Sequence, residues 1–325
     1  MNLRVIKLVG RETVTLAASA LVGSIVVFGL LRLLGGDVAL MILGQDADPA
    51  EAEALRQQLG LNDPYYLQYF HWISGFVTGD LGSAYSGGYD IFEQIVVRMG
   101  PTSLLAFGSL TLSILLAIGI GTYSALNDKK LVGTVIDVVA QLGIAMPSFW
   151  AALLLVYLFA VILGWLPAGG YVPFFEDPVA SLRSMILPIV ALSTSTAAIK
   201  TRFVRSAMLD IMNEDYIRTA MAKGRTFGSA VLRHGLRNVA IPVLTVSTLQ
   251  LGSLLAGAIV LENVFVLPGI GRLLLVAVNG REVMVVQSLA FVIVMIVLVM
   301  NFLMDIAYGI LDPRIADKKT GGGHG

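Results

Sequence analysis

Residues 283 to 304 read VMVVQSLAFVIVMIVLVMNFLM, 22 positions without a charged side chain. A helix needs roughly 20 mostly apolar residues to cross the hydrocarbon core of a bilayer, so this run is long enough to span. Working outward, four more long uncharged runs appear: Thr13 to Leu31, Met99 to Asn127, Val138 to Phe175 and Asn238 to Leu261. The 325 residues are 56% hydrophobic and only 14% charged, a mixture foreign to water-soluble domains of this size. The expectation is an all-α, polytopic membrane protein.

The third run is longer than one span requires. Pro147, inside GIAMPSFWAALLLVYLFAVIL, predicts a kink in a single helix from near Thr134 to near Leu163, with the turn-rich GWLPAGGYVP after it. A further, shorter span is expected between Arg183 and Lys200, where SMILPIVALSTSTAAI carries Ser193, Thr194, Ser195 and Thr196. The charges require it, because without it the flanking loops could not alternate sides under the positive-inside rule. With six spans and the N-terminus inside, only Arg32, Arg56, Arg98, Arg183, Arg272 and Arg281 of the 22 Lys and Arg fall on or near the outside. The other sixteen, Lys200 among them, fall in inner segments, so both termini are expected in the cytoplasm. Ala18-Ser19-Ala20 has the look of a leader cleavage site but lies within the first apolar run, which reads as an uncleaved helix.

This divides the chain into a cytoplasmic start and first span (1–34), an extracytoplasmic segment (35–98), a core of spans two to six (99–315) with a cytoplasmic loop at about 206–237, and a flexible tail (316–325). The 35–98 segment is acidic and helix-like, interrupted at Gly60 and Pro64, with Tyr69, Phe70, Trp72 and Phe76 suited to the lipid interface. It reads equally as a small structured cap or as a docking surface. A second outer segment, LENVFVLPGIGRLLLVAVNGREV, joins a turn at Pro268, Gly269 and Gly271 to an apolar helix too short to span. A re-entrant piece forming an outer gate and a tight exposed loop both fit it.

The inner loop holds the most specific signal. Tyr216 to Asn238, YIRTAMAKGRTFGSAVLRHGLRN, has Arg218, Lys223, Arg225, Arg233 and Arg237 and no carboxylate. Asn213 as cap, with Glu214 and Asp215, marks a helix start, and Lys223-Gly224 marks its end. A second basic helix then leads into the fifth span. A loop drawn to anionic lipid, a nucleic-acid-binding helix-turn-helix and a rigid docking helix for a cytoplasmic partner compete here. Tethering of both ends to spans speaks against nucleic acid. Small residues at Thr219, Ala220 and Ala222 before a glycine stop suit close docking.

RTAMAKG, nine residues, then HGLRN resembles the cytoplasmic loop motif of permease subunits of ATP-binding-cassette importers, most closely those of the dipeptide, oligopeptide and nickel branch. In that resemblance Arg218, Thr219 and Ala220 stand at the motif's Glu-Ala-Ala, Gly224 at its glycine, His234 at its isoleucine and Leu236 at its leucine; Arg237 replaces its proline, and a proline follows at Pro242. Further stretches are similar in the same order, including LGLNDPYYLQYFHWISGFVTGDLGSAYSGG, IAMPSFWAALLLVYLFAVILGWLPAGGY, MILPIVALS, ENVFVLPGIGRLL and YGILDPRI. The resemblance implies a prokaryotic inner-membrane location, a second permease subunit, two ATP-binding subunits or domains and an extracytoplasmic solute-binding protein. Short peptides are the leading cargo. Lys223 and the motif residues would couple to the ATPases, which would carry the ATP and magnesium; this chain needs no cofactor of its own.

The remaining residues agree with a non-enzymatic role. No G-x-x-x-x-G-K-[ST], H-E-x-x-H or G-x-S-x-G pattern occurs, there is no cysteine, and His71, His234 and His324 are too scattered for a metal centre. Gln141, Ser193, Thr194, Ser195, Thr196, Gln250 and Asn301 are polar at membrane depth and are candidates for a wet translocation route or for helix-to-helix hydrogen bonds. Asp137 and Asp305 read as partners of Lys or Arg. The alternative, an ion-gradient-driven transporter or channel, calls for buried ionisable residues near the midplane and usually for internal repeats, and the sequence displays neither.

Overall fold

A computed structural model describes residues 3–34, 37–44, 46–85 and 87–311. Among these residues the regular structure is helical, with one isolated bridge between Ser83 and Asp90. The helices are α1 (Leu3–Leu34), α2 (Val38–Leu43), α3 (Pro49–Gln58), α4 (Tyr65–Thr78), α5 (Ile91–Leu126), α6 (Leu131–Ala145), α7 (Ser148–Leu155), α8 (Pro178–Met212), α9 (Asp215–Ala222), α10 (Phe227–Val264), α11 (Ile270–Asn279) and α12 (Val283–Leu311); a π-helical stretch, Val156–Ile162, continues α7. Five of them, α1, α5, α8, α10 and α12, are long and apolar enough to cross a membrane. The pair α6 and α7 makes a sixth when counted as one broken span.

That pair departs from the expected kink. The two helices are bent by 108°. Met146 and Pro147 are both extended (ψ 118° and 142°), since proline offers no N–H and pushes the residue before it out of helical space. Pro147 therefore ends one helix and starts another. The shorter span is also longer than expected, a 35-residue α8 that runs through Arg183, Lys200, Arg202 and Arg205. Those charges do not end the helix because most find a partner beside it: Arg183 donates to the Trp165 carbonyl (2.6 Å) and Lys200 Nζ to Ser113 Oγ (3.1 Å). Arg205 pairs with Asp128 and with Asp137 (3.0 Å).

The chain forms two compact units. The first comprises Met1–Thr13, Ser103–Leu267 and Met300–Gly325, and the second Val14–Thr102 and Pro268–Val299. In the first, α8 is the central helix, with α6, α7 and α10 packed on it. Close approach is made possible by small residues, the usual device where lipid supplies no hydrophobic drive between helices. A Cβ on Gly121 of α5 would lie 2.7 Å from Val204 Cβ and 2.8 Å from the Thr201 carbonyl oxygen.

The second unit is built on aromatic contacts. Tyr69, Trp72 and Phe76 share one face of α4 and pack with Phe28 of α1 and Phe291 of α12. The Trp72 and Phe291 rings meet edge to face at 5.3 Å, Phe76 and Phe291 at 4.7 Å. Tyr69 also shares a 2.8 Å hydroxyl hydrogen bond with Ser24. Of the four aromatics expected at the lipid interface, Phe70 is exposed, Tyr69 and Phe76 are half-buried and Trp72 is buried. The helical period places the others inward. Between α2 and α3, Arg56 binds Asp37 (2.5 Å) and Glu53 (2.9 Å), and these bonds hold both carboxyls below their ordinary range.

Candidate functional site

The short helix α9 sits in the connection between α8 and α10. Asn213, expected as its cap, instead closes α8, its side-chain amide donating to the Leu209 carbonyl (3.0 Å). Glu214 takes the N-cap position by backbone alone. The other end is closed as expected. Gly224 is left-handed (φ +86°), its N–H donates to Met221 (2.9 Å), and the Arg225 N–H reaches back to Ala220 (3.3 Å). This double return satisfies the carbonyls of Met221 and Ala220 in the last turn of the helix.

Two faces of α9 differ sharply. Ile217 and Ala220 are buried with Val204, Met208 and Ile211 of α8 and Val231, Val239 and Val243 of α10. Asn238 of α10 adds a 3.0 Å hydrogen bond from its side-chain amide to the Tyr216 hydroxyl. The opposite face, with Arg218, Thr219, Met221 and Lys223, is exposed. Arg218 lies 3.7 Å from Asp215, and both are so open to solvent that the pair contributes little. Such a helix is fixed to two spans on one side and free to be gripped on the other. His234 and Leu236 stand on the first turns of α10; their side chains lie outside the described residues.

The candidate route residues separate into distinct environments. Ser193, Thr194 and Thr196 turn their hydroxyls onto carbonyls of their own helix, Val190 for the first two and Ser193 for the third. Ser195 and Asn301 are half-buried. Gln141 is exposed and accepts from Arg202 (3.3 Å). Gln250 is buried, and neither its oxygen nor its nitrogen has a hydrogen-bond partner among the described residues. Asp137 is the Arg205 partner described above.

Lys200 is a finding the sequence concealed. Counted among the cytoplasmic charges, it is fully buried within the first unit, with Ser113 Oγ as its acceptor. Glu262 is likewise fully buried. Both are ionisable side chains enclosed by the helices of the first unit, a burial that the reading of uncharged runs does not reveal. The clue lay in the uncharged polar run before Lys200, which signalled a helix whose buried face continues past the nominal span.

In the second unit, Pro268, Gly269 and Gly271 open α11. Gly269 is its N-cap, Gly271 is buried, and the Ile270 N–H donates to Thr102 Oγ1 (2.9 Å). Ile270, Leu273 and Ala277 face inward, while Leu275, Val276 and Val278 are exposed. Arg281 follows with a positive φ of 56°. Nearby, Glu282 accepts the Tyr85 N–H (2.9 Å), and burial together with that carboxylate pushes the Tyr85 phenol up to about 12. Among the described residues no cluster of His, Asp and Glu suits a metal ion.

Comparison with known proteins accounts for this arrangement. The family described as binding-protein-dependent transport system inner membrane component matches residues 117–317, and the family of its N-terminal part matches residues 5–88. A protein of Brucella abortus (strain 2308) named as a peptide transport system permease is 38% identical over 295 residues, covering 91% of this chain and 94% of that one. The dipeptide transport system permease protein DppB of Alkalihalophilus pseudofirmus is 37% identical over 312 residues (90% and 94%). The glutathione transport system permease protein GsiC of Escherichia coli (strain K12) is 37% identical over 295 residues (91% and 94%). A helical bundle with apolar spans, a tethered helix with one free face and these matches over nearly its full length agree: the chain belongs to the family of inner-membrane components of binding-protein-dependent transport systems.

Proposed function

We propose that this chain forms half of the translocation pathway of an ATP-driven importer of short peptides, with α9 as the helix that couples it to ATP-binding subunits. The observation that carries the reading is the division of α9 into a buried face packed against α8 and α10 and an exposed face ended by a left-handed glycine. A partner that grips the exposed face moves two spans at once. ATP binding would draw the two ATPases together, and the motion of α9 would then favour one facing of the route over the other. Only contacts that differ between the two states can drive that change.

The other elements follow from this role. Both termini lie in the cytoplasm, consistent with sixteen of the 22 Lys and Arg falling on that side. ATP and magnesium stay on the partner subunits; a second permease subunit completes the route, and a solute-binding protein delivers the cargo outside. Arg218, Thr219, Ala220, Lys223, Gly224, His234 and Leu236 form the coupling region. Gln250, with Ser193 to Thr196, Gln141 and Asn301, supplies polar groups to the route, while Pro268, Gly269 and Gly271 belong to the outer gate. Peptide cargo rests on the names of the relatives, which also include glutathione transport.

The test is co-purification of the tagged chain, expressed with its neighbouring genes, followed by an ATPase assay and peptide uptake in vesicles. A stoichiometric ATPase whose coupling to uptake is lost on Arg218→Glu combined with Thr219→Trp supports the reading. A pure, homogeneous chain without an ATPase overturns it.

A further inference from the structure

Helix α4 has 14 residues and no Asp, Glu, Lys or Arg. At about 21 Å it is too short to cross a membrane. Its contacts fix its height against two spans of the second unit. A Cβ on Gly23 of α1 would lie 3.0 Å from Val294 of α12, and Gly23 stands as far from Leu34 as Val294 does from Val283, so these two helix ends are level. Tyr69 meets Ser24 and Phe28 of α1, while Trp72 and Phe76 meet Phe291 of α12. Along the helices, Ser24 is about 15 Å from the end of α1 and Phe291 about 12 Å from the start of α12. Helix α4 therefore lies across the two spans at one depth. The apolar parts of α1 and α12, 26 and 27 residues, are about 40 Å long against a hydrocarbon core of about 30 Å, so each overhangs it by about 5 Å at either end. The face by which α4 holds the spans is then about 5–10 Å below the hydrocarbon boundary, the depth at which in-plane amphipathic helices settle.

The rest of the α4 surface is sorted along the same direction. Going round the helix at about 100° per residue, Tyr66, Phe70, Ile73 and Val77 form an apolar stripe on one side of the packed face. His71, Ser74 and Thr78 form a polar flank on the other side, with Leu67 its one large apolar member. Tyr66, Phe70 and Val77 are 62%, 60% and 82% exposed. The polar flank turns toward the helix ends, since His71 lines the same cavity as Arg32, Asp80, Val283 and Met284. The stripe accordingly turns the opposite way, toward the middle of the spans. Beside it, α1 is bare along its length, with Leu21, Val22, Ile25, Val26 and Leu30 exposed, so α4 stands at an apolar edge of the unit.

We infer that α4 is embedded in the plane of the membrane, with Tyr66, Phe70 and Val77 among the acyl chains of one leaflet and His71, Ser74 and Thr78 at its headgroups. The partner of its free side is lipid rather than protein. This rests only on α1 and α12 crossing the membrane, and not on the cargo or on the coupling role of α9.

The test is power-saturation electron paramagnetic resonance on the assembled transporter in nanodiscs. The chain has no cysteine, so single nitroxide labels can be placed at will once partner-subunit cysteines are replaced by serine. Tyr66→Cys, Phe70→Cys and Val77→Cys are compared with His71→Cys, Ser74→Cys and Thr78→Cys; all six side chains are exposed, so the packed face is left intact. Oxygen concentrates among acyl chains, whereas a nickel chelate stays in water. The ratio of oxygen to nickel collisions should be several-fold higher at the first three positions than at the other three. Equal ratios on the two flanks overturn the inference, as do water-like ratios at all six positions, which would put α4 clear of the membrane. Exclusion of both reagents at 66, 70 and 77 overturns it as well, because the stripe would then be covered by another protein.

Discussion

Gly224 offers the sharpest test of how α9 is held. Its φ of +86° is in the left-handed region, and an added Cβ would meet no atom within 4 Å. Any cost of Gly224→Ala is therefore conformational rather than steric. A side chain in left-handed space costs about 1–2 kcal/mol, offset in part by about 0.4–1 kcal/mol from the stiffer unfolded chain. The net is about 1 kcal/mol, a roughly fivefold increase in opening of the helix end. Gly224→Asn should cost less, since asparagine tolerates this region. Gly228 provides the control: it too has open space at Cβ, its φ is ordinary, and Gly228→Ala should leave the helix end unchanged or slightly more stable. Hydrogen exchange read by mass spectrometry on peptides covering 215–225, in the assembled transporter, measures this directly. The expected order of exchange is Ala fastest, then Asn, with Gly228→Ala matching the wild type. Equal protection in Gly224→Ala and wild type, or faster exchange in Asn than in Ala, would refute the argument from backbone geometry.

Other outcomes follow from the packing and charges. Gly121→Ala brings a methyl 2.7 Å from Val204 Cβ and should lower stability by about 1–3 kcal/mol, whereas Gly119→Ala, with open space at Cβ, should leave it unchanged or slightly raised; thermal unfolding of the two variants compares them. Lys200→Met removes a buried ammonium and should leave the fold at least as stable as the wild type, while Lys200→Ala should destabilise it by about 2 kcal/mol or more through the cavity it leaves. Arg205→Gln removes the partner of both Asp128 and Asp137 and should cost about 1 kcal/mol, most of it recovered when Asp137→Asn is added, as a double-mutant cycle would show. Tyr85 has a raised pKa, so its contribution to stability is complete below about pH 10 and is lost as pH rises from there to about 12. A phenolate absorbance titration of wild type minus Tyr85→Phe should place the step near the upper end of that window.

How much of this was legible beforehand depends on the kind of signal. Apolar length is a bulk property, so the spans of α1, α5, α10 and α12 could be read directly from runs without charge. The end of α9 could be read too, because only glycine takes the left-handed position cheaply and Lys223-Gly224 supplied it. Asn213 misled because the same side chain that caps a helix start can also fold back on the last turn of the helix before it; α8 ends and α9 begins too close together for composition to decide which helix it serves. Pro147 misled differently. A proline states that a helix is interrupted but not by what angle, and the 108° bend follows from two successive extended residues that only the packing on α8 selects.

The charges carry the deeper lesson. Counting Lys and Arg treats every cation as solvated, and for Arg218, Lys223 and Arg225 that holds. For Lys200 it fails, since its amine lies among the helices of the first unit with a serine hydroxyl as acceptor. Removing it from the tally does not alter the sidedness expected from the sequence, because fifteen cations still fall in the segments expected inside against six in those expected outside. It does alter what the residue is for. A cation on a loop helps to set topology during insertion, whereas one enclosed by α5 and α8 must be held without water at every stage in which those helices stay closed. Burial of that kind is retained only where packing tolerates it or another state uses it, and the Lys200→Met variant separates the two. If it is as stable as wild type and transports normally, the charge is merely tolerated; if it is stable but transports poorly, a state in which α5 and α8 part makes use of it.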